Sequence, residues 1–264
     1  MDVHGKNVLV TGGSRGIGEQ LARRFAAGGA RVAVTARSGD ELNRIAKDIG
    51  GQAFRADLLD ADAVEGLVGR VEADFGPIDI LVNNAGLDTS DAFARLTPEV
   101  IRNVTRVNLE APMVLTRQVL PGMIERGRGH LVFLSSIAGT AGFPGLAPYC
   151  GTKAGINNFV ATLRLELGSY PIGTTLVAPG PVDTDMWQHL EDSAYETPVL
   201  KRLRAFQLIP MAKPEKLAAR VVTAVSKDRK HVRHPARLSA TFWLGESPRR
   251  LNELILRGVT LRHD

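Results

Sequence analysis

Thr11-Gly12-Gly13-Ser14-Arg15-Gly16-Ile17-Gly18 is the stretch that decides the fold of this chain. It follows Val8–Val10, a β-branched and apolar run, and leads into Glu19–Ala27, where apolar residues recur at helical spacing. Glycine permits the tight turn and close backbone approach that a strand-to-helix junction needs when a ligand lies against it. The helix that begins there presents free N–H groups and the positive end of its dipole, which suits a pyrophosphate. In that context the glycine turn predicts a dinucleotide site, with Gly12, Ser14, Arg15, Gly16, Ile17 and Gly18 as its contacts.

Outward from the turn, short strand-like runs alternate with amphipathic helical segments. The strand candidates are Val8–Val10, Val32–Thr35, Ala53–Phe54, Ile80–Val82, Leu131–Leu134 and Thr175–Val177, with a seventh near Val232. Between them Glu19–Ala27, Glu41–Asp48, Ala63–Phe75 and Asn157–Leu167 carry apolar residues three and four apart. This alternation predicts an α/β fold of Rossmann type: a doubly wound parallel sheet between two helical layers, built as a single domain over residues 1–264. From Asp183 to Met211 the alternation stops. An excursion of that length after the sixth strand lies at the carboxyl edge of the sheet, so residues 183–211 are expected to bind substrate.

Composition narrows the function. The net charge of +5 is uneven, with 15 Lys/Arg against 5 Asp/Glu in residues 201–264 and 18 against 23 before them. The basic excess lacks the aromatic interleaving of a single-strand binder, so no nucleic-acid partner is expected. No apolar run is long enough to span a bilayer. The start, Met1 to Lys6, enters the first strand without a charged leader and apolar core, which predicts a cytoplasmic protein. Cys150 is the one cysteine, the six histidines are scattered and no zinc-ligand spacing occurs, so no metal is expected. The Gly-x-Ser-x-Gly elbow of many hydrolases is also missing.

Tyr149 and Lys153 stand four apart on a predicted helix, one turn from each other on the same face. A phenol is a poor base at neutral pH. A nearby ammonium and an oxidised nicotinamide would stabilise the phenolate, so Lys153 is expected to tune Tyr149. Ser136 ends the fifth strand thirteen residues earlier, with Ser135 beside it.

Taken together these features resemble the short-chain dehydrogenase/reductase family. The turn has the spacing Thr-Gly-x-x-x-Gly-x-Gly, followed by Asp57-Leu58, Asn83-Asn84-Ala85-Gly86, Asn108, Ser136, Tyr149 with Lys153, and Pro179-Gly180, all in family order within residues 7–184. The resemblance implies an NAD(P)-dependent oxidoreductase with Tyr149 as acid/base and Ser136, rather than Ser135, orienting the substrate oxygen. Lys153 would set the proton affinity of Tyr149, and Asn108 would hold a water that links Lys153 to solvent. It further implies that Asp57, with Leu58, meets the adenine and that Asn83 braces the central strand. Asn84, Ala85, Gly86, Pro179, Gly180 and Val182 would line the cofactor, and Thr184 would hold the nicotinamide carboxamide.

The second strand ends in Thr35-Ala36-Arg37, where an acidic residue would bind the ribose hydroxyls of NAD. Arg37, with Arg15 from the glycine turn, can instead converge on a 2′-phosphate. NADP(H) is therefore expected over NAD(H). The segment 183–211 carries Met186, Trp187, Leu190, Tyr195, Val199, Leu200, Leu203, Phe206, Leu208 and Ile209, which predicts a lipophilic carbonyl or alcohol substrate of steroid, retinoid, fatty-acyl or terpenoid type. The tail, 232–264, departs from the glycine-rich ending of many family members. Its stripe of Leu251, Leu254 and Ile255 reads first as a terminal helix on its own domain, beside a dimer contact, a lid or a peripheral membrane attachment. A homo-dimer or homo-tetramer is expected. The alternative to an enzyme is a nucleotide-sensing or scaffold protein, which would be free to lose the catalytic set that this chain retains.

Overall fold

In a computed structural model the described residues are 1–185, 187–188 and 211–234. Seven parallel strands form one sheet: β1 (Asn7–Thr11), β2 (Arg31–Ala36), β3 (Gln52–Arg55), β4 (Ile80–Asn83), β5 (Gly129–Leu134), β6 (Ile172–Pro179) and β7 (His231–His234), in the order β3-β2-β1-β4-β5-β6-β7. The seventh strand expected near Val232 is present, paired in register Val177 to Val232. Alternation within the strands explains the two cores. On β1, Val8 and Val10 face one side and Leu9 the other; on β4, Ile80 and Val82 oppose Leu81 in the same way. With both faces covered, the strands read as continuous apolar runs.

Helices α1 (Gly16–Ala27), α2 (Gly39–Asp48) and α7 (Pro214–Ser226) cover one face through Leu21, Phe25, Leu42, Leu217 and Val221. The other is covered by α3 (Ala61–Phe75), α5 (Ala111–Glu125) and α6 (Ala147–Glu166) through Leu67, Val71, Leu115, Val160 and Leu163. A short α4 (Pro98–Thr105) runs through a π-helical turn, Arg106–Glu110, into α5. Helix α6 begins ten residues before the periodic segment Asn157–Leu167 that marks it in the sequence. Its first turns lie against the functional edge, where Tyr149 and Lys153 replace the apolar residues that periodicity detects.

The strand order reverses between β1 and β4, and there the carboxyl ends of the strands diverge into a crevice, the usual ligand position in open α/β sheets. Thr11 closes its floor. The Thr11 hydroxyl donates to the Val82 carbonyl at 3.3 Å and accepts from the N–H groups of Asn84 and Ala85 at 3.0 and 3.1 Å. Most of the segment expected to bind substrate, residues 186 and 189–210, and the tail at 235–264 lie outside the described residues. Among those described, no helix is long and apolar enough to cross a membrane.

Candidate active site

The turn after β1 keeps its backbone bare. Gly16 has a φ of +57°, a conformation that L side chains rarely adopt, and a Cβ on Gly18 would collide with the Gly12 carbonyl oxygen. Helix α1 starts at Arg15 without a side-chain cap, and α2 starts likewise at Ser38. By contrast α3 is capped by Asp60 and α4 by Thr97, and neither of those starts faces the crevice. Helix α6 also starts uncapped, at Leu146 on the same cleft, and uncapped N–H groups of this kind suit the phosphate groups that a dinucleotide carries. Asn84 fixes the opposite wall, its Nδ2 donating to the carbonyls of Thr11 at 2.9 Å and Gly12 at 3.2 Å.

The cleft has a volume of about 490 Å³. Every cofactor residue expected from the sequence lines it, from Gly12 in the first turn through Arg37, Asp57 and Gly86 to Thr184. Ser136, Tyr149 and Lys153 line it as well, so the two ends of the expected site share one space. Asn108 does not line it. It lies behind the wall, 1% exposed, at the centre of the π-helical turn.

Ser136 follows β5 and starts a short helical turn, its Oγ accepting from the Ala138 N–H at 3.2 Å. It also lies near enough to the Tyr149 phenol to favour its ionised form. Ser135 is turned away: its hydroxyl donates to Asn157 Oδ1 at 2.6 Å and is buried. Tyr149 is half-buried, and burial pushes its phenol up to about 12, opposed by Ser136 and reinforced by the charge of Asp88. Lys153 is 4% exposed, and burial pulls its ammonium down to about 8. Its Nζ donates to the Leu134 carbonyl at 2.8 Å and lies 5.5 Å from the centre of the Tyr149 ring. Burial is the leading influence on the phenol. A phenol so shifted keeps its proton at neutral pH.

The Asn108 carboxamide is occupied on both sides. Its Oδ1 accepts from the Leu87 N–H at 2.8 Å, its Nδ2 donates to the Leu87 carbonyl at 2.8 Å, and the same Nδ2 reaches Thr152 Oγ1 at 3.2 Å. Thr152 donates in turn to the Tyr149 carbonyl at 2.8 Å. π-Helical turns inside helices recur at functional sites, and this one brings the Asn108 side chain under the first turn of α6. Sequence reading missed Thr152 and Asn157. Asn157 Nδ2 donates to the Gly139 carbonyl at 3.1 Å and so ties α6 to the turn that carries Ser136. Its one signal was a polar residue four beyond Lys153, on the face of α6 that points at the sheet.

At the adenosine end Arg37 and Arg15 line the cleft, with Ser38 beside them. Arg15 pairs with Asp185 at 3.3 Å, both side chains about two-thirds exposed. Such a pair is weak and exchangeable. Asn83 binds Thr116 Oγ1 through Nδ2 at 3.3 Å. Asp57 caps its own turn, accepting from the Leu59 N–H at 3.0 Å. Among the described residues no three His, Cys, Asp or Glu side chains gather as they would around a metal ion.

A family model described as short chain dehydrogenase matches residues 6–194. The 3-oxoacyl-(acyl-carrier-protein) reductase FabG of Escherichia coli (strain K12) is 36% identical over 194 residues, covering 73% of this chain and 80% of that protein. The reductase of the same name from Vibrio cholerae is 32% identical over 234 residues, covering 88% of this chain and 94% of its own. In three dimensions, a variant of actinorhodin polyketide ketoreductase with NADPH superposes with a TM-score of 0.79 at 31% identity, over 87% of this chain and 95% of that one.

Proposed function

The chain belongs to the short-chain dehydrogenase family and is an NAD(P)-dependent oxidoreductase, and on that premise we propose that it interconverts a lipophilic ketone and its secondary alcohol with NADP(H). The observation that carries this reading is the convergence of Ser136, Tyr149 and Lys153 in the cleft that the glycine turn opens.

A bound nicotinamide supplies or takes the hydride. Ser136 and Tyr149 hold the carbonyl oxygen, and the phenol, an acid with its proton held by burial, delivers that proton as the oxygen gains charge. Lys153, with a proton affinity brought near neutrality, can restore the proton to Tyr149. Asn108 acts from behind, fixing Leu87 and Thr152 and through them the start of α6. For the coenzyme, Arg37 and Arg15 favour the 2′-phosphate of NADP(H), since no carboxylate ends β2 to hold free ribose hydroxyls.

The lipophilic substrate is supported by the described part of the cleft wall, which includes Leu87, Val107, Phe143, Leu146 and Trp187. Of the apolar residues expected between 183 and 211, only Trp187 falls among the described residues. Within the expected substrate classes the fatty-acyl type gains support from the two reductases, whose names specify 3-oxoacyl chains. A matched series of 2-ketones of lengthening chain, followed by NADPH oxidation, tests the reading. Each buried methylene should improve kcat/KM by up to about fourfold until the pocket is full, from about 0.8 kcal/mol per group. A flat series from the smallest ketone upward would reject the lipophilic assignment.

A further inference from the structure

Tyr149, Lys153 and Asn157 follow one another at four-residue intervals along α6 and so form one stripe on its face. The first two line the cleft, and the third is 2% exposed, beside Ile156 in a stretch that belongs to the apolar core. Both ends of the Asn157 carboxamide meet the segment that carries Ser136. Its Oδ1 accepts from the Ser135 hydroxyl at 2.6 Å, and its Nδ2 donates to the Gly139 carbonyl at 3.1 Å. The Ser135 hydroxyl also reaches the Lys153 carbonyl at 3.3 Å. The contact is close: a Cβ on Gly139 would stand 2.8 Å from the Lys153 carbonyl oxygen, so the turn lies directly against the α6 backbone.

These bonds bracket Ser136 along the chain, at Ser135 before it and at Gly139 after it. The bonds of Ser136 itself are local, its Oγ accepting from the Ala138 N–H at 3.2 Å and its carbonyl from the Gly139 N–H at 3.0 Å. The separation of Ser136 from Tyr149 is therefore set by how the turn docks on α6, and the bonds of Asn157 to Ser135 and Gly139 are the side-chain ties that dock it. Apolar packing tolerates small slips, whereas buried hydrogen bonds are directional and costly to leave unmade.

We propose that Ser135 and Asn157 are positioning residues for the reaction, which hold Ser136 at the distance from Tyr149 where both meet one substrate oxygen. The inference rests on the reading of Ser136 and Tyr149 as the groups that hold that oxygen. The residues that open the coenzyme end, from Gly12 to Arg37 and Asp57, lie on other elements, so coenzyme affinity is separable from this role.

The test compares the full-length wild type with Ser135→Ala, Asn157→Leu and the double variant. Asn157→Leu strands the Ser135 hydroxyl, and the double variant removes that hydroxyl too, so in urea titrations the double should be more stable than Asn157→Leu alone. Turnover should not recover with it. In the double variant kcat for 2-decanone should stay at least about tenfold below wild type, while KM and the Kd for NADPH remain within about threefold. A role in stability alone leaves the kcat of the folded protein unmoved, and a smaller loss of kcat in the folded double variant overturns the proposal. If the double variant does not fold, Ser135→Ala decides in its place, with a loss of at least about threefold in kcat expected and a smaller loss overturning it. Crystal structures of wild type and variant with NADPH supply a readout that needs no substrate. The distance from Ser136 Oγ to Tyr149 Oη should change by at least about 0.5 Å, and an unchanged distance overturns the proposal. If the wild type does not reduce 2-decanone, the proposed substrate fails and that distance alone decides the positioning role.

Discussion

Replacing Lys153 with methionine should make the protein more stable while abolishing its turnover. Lys153 is 4% exposed, and burial pulls its ammonium from 10.5 down to about 8. A depression of that size destabilises the folded state at pH 7 by about 3 kcal/mol relative to an unperturbed lysine. Methionine fills a similar volume with no charge to desolvate. Against this gain stands the lost bond from Nζ to the Leu134 carbonyl, 2.8 Å long, which leaves that carbonyl one donor short. That loss offsets about 1 kcal/mol, so the expected net gain at pH 7 is about 2 kcal/mol. The pH dependence gives a sharper check. Because the folded-state value lies below the unfolded one, the penalty is complete below the folded value, shrinks as pH rises between the two and vanishes above the unfolded value. Near pH 10 it has fallen to under about 1 kcal/mol, and the variant should lose its advantage. Urea unfolding of both proteins at pH 7 and pH 10 measures the difference directly. A variant less stable than wild type at pH 7, or a difference unchanged between the two pH values, would refute the argument that Lys153 is held charged at a desolvation cost.

Tyr149→Phe should fold and bind NADPH normally but lose about 10²- to 10⁴-fold in kcat with little change in KM, because the phenolic proton is needed only as the oxygen gains charge; a kcat within a few fold of wild type would sink the mechanism. Ala36→Asp combined with Arg37→Ala should weaken NADPH by at least about tenfold and strengthen NADH, as read by fluorescence titration, since a carboxylate repels the 2′-phosphate that Arg37 attracts. His130 is 1% exposed, with Nε2 at 2.8 Å from Thr175 Oγ1, and burial pulls its pKa to about 4. Its folded-state value lies below the unfolded one, so the stability it supports is present above about pH 6.5 and is lost as pH falls toward 4, by about 3 kcal/mol in all. His130→Gln should therefore lose about 2 kcal/mol less than wild type between pH 7.5 and 5 in urea titrations; parallel losses would assign the acid sensitivity to other groups.

By itself the sequence determined the features that arise from neighbours along the chain. Glycine spacing in the first turn, period-two and period-3.6 apolar patterns, and the one-turn interval from Tyr149 to Lys153 all follow from local backbone geometry, which a few residues encode. They were enough for the doubly wound sheet and the dinucleotide turn, whereas the grouping of Ser136 with Tyr149 and Lys153 came from the family resemblance that their order along the chain carries. Tertiary structure alone decided what those groups meet and how they are charged. Asp88 lies 61 positions before Tyr149, and no pattern announces that its carboxylate bears on the phenol. Asn157 and Ser135 are brought together across 22 positions by the packing of α6 on β5, and that bond turns Ser135 away from the cleft. The proton affinities of Tyr149 and Lys153 likewise moved with burial, which is a property of everything that surrounds a side chain. Spacing can place an ammonium one turn from a phenol, but only the packed structure decides how far each is withdrawn from water, and that withdrawal is the leading cause of both shifts.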